Sequence, residues 1–251
     1  MTHNTKLQSR AAISQLENRQ KLFKLFESTP IPVGQLLVNL PLYMRSSVVA
    51  KFLYVNELYQ LIIDTPGVIM EFGVWWGANL AIFESLRAVY EPYNYTRKVI
   101  GFDTFKGYAS ISAKDGVDNL VMTGNYSVND NYLDHLTELL DYHEQENVMS
   151  HIKKYELIEG DVTNTIEEYL VEHPETMIAL AYFDLQLYEP TKACLQAIKP
   201  FVTRGTVIAM DELNSSEFPG ETIAFKEVWG LDKHRIIRSR YLPDRSYLIV
   251  D

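Results

Sequence analysis

The sequence predicts an α/β protein built on a mostly parallel sheet, with an antiparallel hairpin at its C-terminal edge and a helical cap at its N-terminus. Two patterns predict this class. Apolar runs of strand length alternate with helical patterns through the middle of the chain, as in βαβ units. The runs VIMEFGV, MIALAYFD and TVIAMD are nearly continuous, which is typical of strands covered by helices on both faces.

The composition restricts the kind of protein. The 251 residues carry a net charge of −10, which argues against the phosphate backbone of a nucleic acid as the main ligand. Residues 1–22 are polar, and no run approaches the roughly 18 apolar residues of a membrane span, so we expect a cytoplasmic protein without a membrane partner. The single cysteine, Cys194, lies in an apolar helical pattern and is expected to be a buried structural thiol.

Helical patterns occupy the N-terminal part of the chain. Apolar residues recur at helical spacing over residues 8–26 and again over residues 46–63, with a proline-containing connection over residues 31–42. The turn signal DTPG follows the second pattern. Because both helices precede the first strand, we expect residues 1–66 to form a helical cap on the substrate side and residues 67–251 to form the main domain.

Strands and helices then alternate along the main domain. The predicted strands cover residues 68–74, 97–103, 155–160, 177–184 and 204–211. The predicted helices between them cover residues 78–90, 131–144, 164–172 and 188–198. A helix near residues 221–230 precedes two apolar runs, 235–239 and 246–250, and the Pro-Asp turn between these runs predicts the edge hairpin.

The segment from residue 104 to residue 129 has few strand or helix cues. Loops of this length inside a compact domain are usually functional or disordered. We interpret the segment as a lid that faces the substrate, with Phe105, Tyr108 and Tyr126 lining a pocket, and plain disorder is the alternative.

A glycine turn follows the first predicted strand in the segment VIMEFGVWWG. Glycine at such a turn tolerates backbone angles that other residues avoid and leaves room for a ligand against the backbone. The carboxyl end of a parallel strand is also where open α/β sheets bind nucleotide-like ligands. The spacing of Glu71, Gly73 and Gly77 is the E-x-G-x-x-x-G pattern of S-adenosylmethionine (SAM) methyltransferases, and an ordinary turn without a ligand is the alternative.

Acidic residues end the next two strands. Asp103 follows the second strand, where a carboxylate can accept hydrogen bonds from ribose hydroxyls, and capping of a turn is the alternative. Asp161 follows the third strand and directly precedes a helix. It is suited to the adenine amino group, to capping the helix, or to both.

Three further carboxylates follow the fourth and fifth strands. In a parallel sheet, Asp184, Asp211 and Glu212 would lie at the same edge as the glycine turn. Carboxylates that close repel one another unless a cation lies among them, and Mg²⁺ with its oxygen ligands is the simplest such cation. The alternative, that they are caps or surface charges, is at odds with their place at the ends of apolar strands.

Read together, these strand ends resemble the macrocin O-methyltransferase family of class I SAM-dependent enzymes, which includes sugar O-methyltransferases of macrolide and aminocoumarin biosynthesis. The resemblance runs from about Arg45 to Asp251, and its most specific segments are MEFGVWWGANL, KVIGFDTFKGY, IEGDVTNTIEEYL, YFDLQLYEPTKACL and MDELN followed by FPGE. It implies a Rossmann-like class I methyltransferase sheet, SAM as methyl donor and a divalent metal, usually Mg²⁺. It also implies a hydroxyl acceptor on a small molecule, often a sugar, and a homo-oligomer.

The resemblance also implies roles for individual positions. Cofactor binding falls on Glu71, Gly73 and Gly77 of the SAM loop, on Asp103 for the ribose and on Asp161 for the adenine. Metal binding falls on Asp184, Asp211 and Glu212, of which Glu212 stands where many members have aspartate.

The catalytic candidates are Asp184 and Gln186, and the second departs from the family pattern. Members have an acidic residue, proposed as the general base, two positions after the first metal ligand, and an amide cannot accept a proton at neutral pH. A metal on the acceptor hydroxyl would lower its pKa, so that solvent or another side chain could take the proton. Such side chains, none of them favoured, are His143, His151, Tyr188 and Glu189.

We therefore expect a SAM-dependent and Mg²⁺-dependent O-methyltransferase acting on a sugar or a specialised metabolite. Methyl transfer to an amine or a carboxylate, which needs no strong base, is one alternative. A SAM-binding partner protein without catalysis is a second, favoured by Gln186. A nucleotide-handling enzyme such as a dehydrogenase is a third, disfavoured because its binding site usually has G-x-G-x-x-G spacing.

Overall fold

The computed structural model describes residues 11–118 and 120–251. The strands are β1 (Val68–Phe72), β2 (Val99–Asp103), β3 (Tyr155–Glu159), β4 (Ile178–Phe183), β5 (Val202–Met210), β6 (Ile237–Arg238) and β7 (Ser246–Ile249). The α-helices are α1 (Ile13–Glu27), α2 (Val33–Leu36), α3 (Ser46–Leu61), α4 (Ala78–Tyr90), α5 (Tyr132–Glu146), α6 (Val162–Glu172), α7 (Tyr188–Ile198) and α8 (Pro219–Val228). Residues 8–10 of the first predicted helix lie outside the described residues.

The strands form one seven-stranded sheet in the order β3-β2-β1-β4-β5-β7-β6. The first five are parallel, and β7 pairs antiparallel with both β5 and β6 at the edge. The predicted fold class is confirmed, including the edge hairpin. Predicted and observed ends in the main domain differ by at most two residues; α6, for example, begins two residues early because Asp161 caps it.

Helices cover both faces of the sheet. On one face α3, α4 and α5 pack onto the strands through residues such as Tyr54, Phe83 and Leu140. On the other face α6, α7 and α8 do so, and Cys194 of α7 and Phe225 of α8 are part of that core. Burial on both faces explains the continuous apolar runs of the central strands. Cys194 is a free buried thiol, as the sequence predicts.

The helices ahead of the sheet differ in how much they bury. No residue of α1 or α2 is buried, whereas α3 buries Tyr54, Val55, Leu58 and Tyr59 against the sheet and α4. The expected connection over residues 31–42 contains α2 and the start of a short 3₁₀ helix at Leu40–Tyr43. Among the described residues, no helix combines the length and apolar character needed to cross a membrane.

The register of the sheet places four strand ends in one row. Phe72 of β1 pairs with Phe102 of β2 and with Phe183 of β4, and Phe183 pairs with Met210 of β5. The residues that follow these four are Gly73, Asp103, Asp184 and Asp211. Because all four strands run in the same direction, their next residues emerge at one edge, as the sequence analysis expects.

A buried carboxyl group in α4 makes stability depend on pH. Glu84 is fully buried, neither of its carboxylate oxygens has a hydrogen-bond partner, and burial raises its pKa to about 8. A raised folded-state pKa stabilises the protein below the unfolded value, and this contribution is lost as pH rises toward the folded value. We expect stability to fall between about pH 4.5 and pH 8, and Glu84→Gln to flatten that decline.

Urea denaturation of wild type and Glu84→Gln at several pH values measures this effect. The variant is expected to be the more stable of the two at pH 8, because an amide is cheaper to bury than a carboxylate. An identical pH dependence in both proteins would contradict the assignment to Glu84.

Candidate active site

A cavity of about 370 Å³ opens at the row of strand ends. It lies where β1 and β4 are neighbours in the sheet while their following helices, α4 and α7, cover opposite faces. Open α/β sheets bind their ligands at such a switch point. Seven predicted site residues line the cavity: Gly73, Asp103, Asp161, Asp184, Gln186, Asp211 and Glu212. The other two, Glu71 and Gly77, lie outside its lining.

Gly73 lies against the end of β4, the strand beside β1 in the sheet. Its φ of +92° lies in the left-handed region, and a Cβ added there would overlap the carbonyl oxygen of Asp184. The Asp184 N–H in turn donates to the Phe72 carbonyl at 2.8 Å. Only glycine therefore lets the ends of β1 and β4 approach this closely.

Glu71 and Gly77 stabilise the glycine turn from outside the cavity lining. Oε1 of the Glu71 carboxyl group accepts a hydrogen bond from Asn79 Nδ2 at 2.8 Å, which ties β1 to the first turn of α4. Burial raises the pKa of Glu71 to about 8, so the group is largely neutral at pH 7. Gly77 precedes α4 with φ +74°, and a Cβ there would overlap the Leu136 side chain.

Asp103 anchors the glycine turn through backbone hydrogen bonds. Its Oδ2 accepts from the N–H groups of Val74 and Trp75, both at 2.7 Å, and its Oδ1 accepts from the Phe105 N–H at 2.7 Å. Burial raises the pKa of Asp103, and these backbone hydrogen bonds oppose the rise. The carboxylate thus caps a turn, the alternative that the sequence offers for it, and joins the glycine turn to the start of the 104–129 segment.

Asp161 caps α6 at the rim of the cavity. Its Oδ1 accepts from the Thr163 N–H at 3.0 Å and from the Thr163 hydroxyl at 2.8 Å. The capping role that the sequence predicts is confirmed, and Asp161 also lines the cavity at the N-terminus of α6.

We call Asp184, Asp211 and Glu212 the acidic lip of the cavity. The Asp211 side chain is almost fully buried, and each of its oxygens has a partner: Oδ1 accepts from the Tyr182 hydroxyl at 2.8 Å and Oδ2 from Arg245 Nη2 at 2.5 Å. Burial, followed by the charge of Asp211, raises the pKa of Asp184 to about 7 and that of Glu212 to about 8.

The expected three-carboxylate metal cluster is not assembled in this arrangement. Among the residues that the structure describes, no three His, Cys, Asp or Glu side chains are grouped to hold a metal ion. The physical reason is at Asp211, whose two oxygens are engaged by Tyr182 and Arg245.

Gln186 occupies the position expected for a general base. Its φ is +65°, and its Oε1 accepts a short hydrogen bond from the Tyr108 hydroxyl. A second hydrogen bond joins Gln186 to Tyr126 and opposes the rise in the pKa of Tyr126 that burial causes. Tyr108 and Tyr126 line the cavity, as predicted. Gln186 therefore connects the fourth strand end to the lid.

Phe105 does not line this cavity, unlike the two tyrosines that were predicted with it. The backbone turns sharply at this residue (φ +54°), and the ring packs into the core on the α3, α4 and α5 face of the sheet. The four alternative proton acceptors, His143, His151, Tyr188 and Glu189, also lie outside the cavity lining. The Tyr188 hydroxyl, for example, donates to Glu227 at 2.6 Å.

The described part of the segment over residues 104–129 is folded, and we call this segment the lid. Its two ends are joined by an antiparallel bridge between Lys106 and Ser127 and by the hydrogen bond from the Tyr108 N–H to the Asn125 carbonyl at 3.0 Å. Asp115 is 1% exposed and accepts from the N–H of Tyr188, the first residue of α7, at 2.5 Å. A carboxylate at a helix N-terminus is favourable, so Asp115 fastens the lid to α7.

Replacing Asp115 by alanine is expected to release the lid. The loss leaves the buried N–H of Tyr188 unpaired, which costs about 1–3 kcal/mol of folding stability. We expect faster proteolysis within the lid. We also expect weaker binding of ligands in the cavity, because lid residues form part of its lining. Asp130→Ala, an exposed carboxylate near the end of the lid, is the matched control. Equal proteolysis rates for the two variants would contradict the anchoring role of Asp115.

Sequence reasoning missed three residues that shape the site: Lys51, Asp115 and Arg245. Lys51 of α3 lines the cavity, and its positive charge lowers the pKa of Asp184 against the effect of burial. Arg245 reaches the acidic lip from the turn between β6 and β7. Neither Lys51 nor Arg245 lies in a local motif. Each reaches the site only because segments distant in the sequence pack together in the fold.

The fold and the site define a class I SAM-dependent methyltransferase. The chain belongs to the macrocin-O-methyltransferase (TylF) family, whose model matches residues 56–234. No match was found among curated protein sequences.

Two solved structures of CalS11 are similar over nearly the whole chain. The first, described as a calicheamicin methyltransferase, has a TM-score of 0.93 and 42% identity, covering 99% of this chain and 97% of that one. The second is an apo structure, described as a TDP-rhamnose 3′-O-methyltransferase of calicheamicin biosynthesis. It has a TM-score of 0.85 and 42% identity, covering 96% of each chain. The O-methyltransferase NovP, at 16% identity, a TM-score of 0.60 and 80% coverage of each chain, shares the fold.

Proposed function

We propose that this protein transfers the methyl group of SAM to a hydroxyl group of a sugar in the biosynthesis of a specialised metabolite. One observation carries the proposal. Gly73, Asp103, Asp184 and Asp211 follow the ends of four adjacent strands and line one cavity at the switch point of the sheet. The sugar acceptor is inferred from CalS11, which is 42% identical and is described as a TDP-rhamnose 3′-O-methyltransferase.

The cavity residues fit SAM in their chemistry. The glycine turn at Gly73 leaves backbone accessible to a ligand, and we assign Asp103 to the ribose and Asp161 to the adenine. Glu71 and Gly77 would act indirectly by holding the turn in place. SAM supplies a methyl group activated by a sulfonium centre. The contribution of the chain to the transfer is then to hold donor and acceptor in line, which alone accounts for much of the rate in such displacements.

The lid and α3 would hold the acceptor. Tyr108, Tyr126 and Phe218 line the cavity and offer aromatic surface to a sugar ring. Lys51 belongs to residues 1–66, so its presence in the lining supports a substrate-side role for that segment. Its ammonium group is suited to an anionic part of the acceptor, such as the phosphates of a nucleotide sugar.

We also propose that the acidic lip takes Mg²⁺. Its carboxylate oxygens are the ligands that this cation prefers. Among the described residues, Asp184 and Glu212 form no ion pair with a basic side chain. When bound there by Asp184, Asp211 and Glu212, Mg²⁺ would lower the pKa of an acceptor hydroxyl.

Gln186 is then a positioning residue instead of a proton acceptor. Its amide cannot take a proton at neutral pH, and its hydrogen bonds to Tyr108 and Tyr126 hold the lid over the cavity. The same residue favours a second candidate, a SAM-binding partner protein without catalysis. Gln186→Asp separates the two: activity that appears only in this variant supports the partner protein, and turnover by the wild type dismisses it.

We propose that the protein forms a homo-oligomer through its N-terminal helices. In α1, α2 and the residues that join them to α3, large apolar side chains are exposed: Ile13, Phe23, Leu25, Phe26, Val33, Leu37, Val38 and Leu42. An exposed apolar surface of this kind is typical of contacts between chains. Analytical ultracentrifugation of the full chain tests the proposal.

Purified protein, SAM and a panel of nucleotide sugars and free sugars test the main proposal. We expect one equivalent of S-adenosylhomocysteine for each methylated sugar, and a large loss of rate when EDTA removes divalent ions. Mass spectrometry identifies the product. Calorimetry that shows no interaction with SAM or S-adenosylhomocysteine, with and without Mg²⁺, would end the proposal.

A further inference from the structure

Arg245 lies at the acidic lip, although it is distant in sequence from the other residues there. It lies between β6 and β7, and its Nη2 is 2.5 Å from Asp211 Oδ2. Arg245 also lines the cavity.

We infer that Arg245 is an internal cation that competes with a divalent ion for Asp211, so that metal binding at the acidic lip requires the guanidinium to move away. This inference rests on the proposed function, because it concerns the metal proposed for the same site.

The competition follows from the hydrogen bonds of Asp211. Its Oδ1 accepts from the Tyr182 hydroxyl, and both residues are buried. The other oxygen, Oδ2, is the one that Arg245 occupies. Mg²⁺ needs carboxylate oxygens at about 2.0–2.1 Å in near-octahedral geometry, which a guanidinium on the same oxygen obstructs. Arginine stays charged at all physiological pH values, so it cannot yield the position by losing a proton.

A second carboxylate is available to the displaced side chain. Arg245 Nη1 is 2.7 Å from Asp244 Oδ2, and the Asp244 side chain is 53% exposed. The guanidinium can therefore leave Asp211 and keep its ion pair with Asp244. Arg245 would then position Asp211 in the metal-free protein and set the affinity of the lip for the metal.

Titration calorimetry of Mg²⁺ into the full chain saturated with S-adenosylhomocysteine tests this inference without turnover. Arg245→Met removes the charge, and Arg245→Gln removes it while keeping a hydrogen-bond donor that helps the variant fold. We expect both variants to bind Mg²⁺ roughly tenfold more tightly than the wild type, or more. Arg238→Met, on the same hairpin but exposed, is the matched control and should leave the affinity unchanged.

Thermal unfolding gives a second measurement. Without Mg²⁺ the Arg245 variants should melt below the wild type, because their acidic lip has lost its cation, and Mg²⁺ should raise their Tm by more than it raises that of the wild type. Equal or weaker Mg²⁺ affinity in both variants would overturn the inference.

Two outcomes separate the inference from the proposed function. If Mg²⁺ binds to the variants and not to the wild type, the competition is supported. The proposal that the wild-type reaction depends on Mg²⁺ is then refuted. If none of the proteins binds Mg²⁺, the inference is overturned, and sugar methylation that persists in EDTA leaves methyl transfer itself intact.

Discussion

Gly73→Val is expected to abolish SAM binding. The residue has φ +92°, which L side chains rarely adopt, and its Cβ would overlap the Asp184 carbonyl oxygen, part of the backbone at the adjacent strand end. The valine side chain would also enter the space against the backbone that a ligand needs. We expect affinity for SAM to fall roughly a hundredfold or more, which corresponds to about 2.8 kcal/mol.

The structure supplies a control for backbone strain. Gly124 of the lid has φ +81°, and an added Cβ would meet nothing within 4 Å. Gly124→Ala therefore imposes a similar left-handed strain, of about 1–2 kcal/mol, without the overlap. Calorimetry with SAM and circular dichroism of both variants separate binding from folding. Unchanged SAM affinity in folded Gly73→Val would refute the assignment of the glycine turn.

Asp211→Ala is expected to reduce both stability and methyl transfer. From sequence alone, the substitution is expected to remove metal dependence and leave the fold intact. The structure changes that expectation, because the carboxylate is 1% exposed and holds Tyr182 and Arg245. Removing one partner of a buried ion pair costs about 3–5 kcal/mol. Arg245 keeps Asp244 and is 21% exposed, so we expect a cost near the lower end of that range.

A double-mutant cycle checks the origin of this loss. Asp211→Ala combined with Arg245→Met removes both charges and should recover part of the stability lost in Asp211→Ala alone. Urea denaturation measures all four proteins. Additive losses would show that the ion pair is not the source. Mg²⁺ stimulation that persists in Asp211→Ala would remove Asp211 from the proposed metal site.

The cluster around Asp211 shows why part of the site was predictable and part was not. Asp184 and Asp211 end apolar strands, so their place at one edge follows from parallel pairing and from the period of the sheet. The hydrogen bonds of Asp211 depend on Tyr182 and Arg245, which lie 29 and 34 residues away. Asp211, which the family resemblance assigns to a metal, is paired with both of these residues.

The lid, too, was predictable from the sequence only in part. Its length and glycine content indicated a functional segment, and Tyr108 and Tyr126 line the cavity as expected. Its anchoring could not be read locally, because Asp115 binds the N-terminus of a helix 73 residues further along the chain. Phe105 was assigned to the pocket on its residue type, while the backbone turn at that position directs it to the core.

By itself, the sequence determined the alternation of strands and helices, the acidic strand ends and the glycine turn, because these depend on the period and burial of short segments. The tertiary structure alone decided which charges meet, placing Arg245 on Asp211, Lys51 in the cavity and Asp115 on α7. Side-chain electrostatics act through space over a few ångströms, so partners far apart in the chain become visible only once the sheet is paired and its helices are packed.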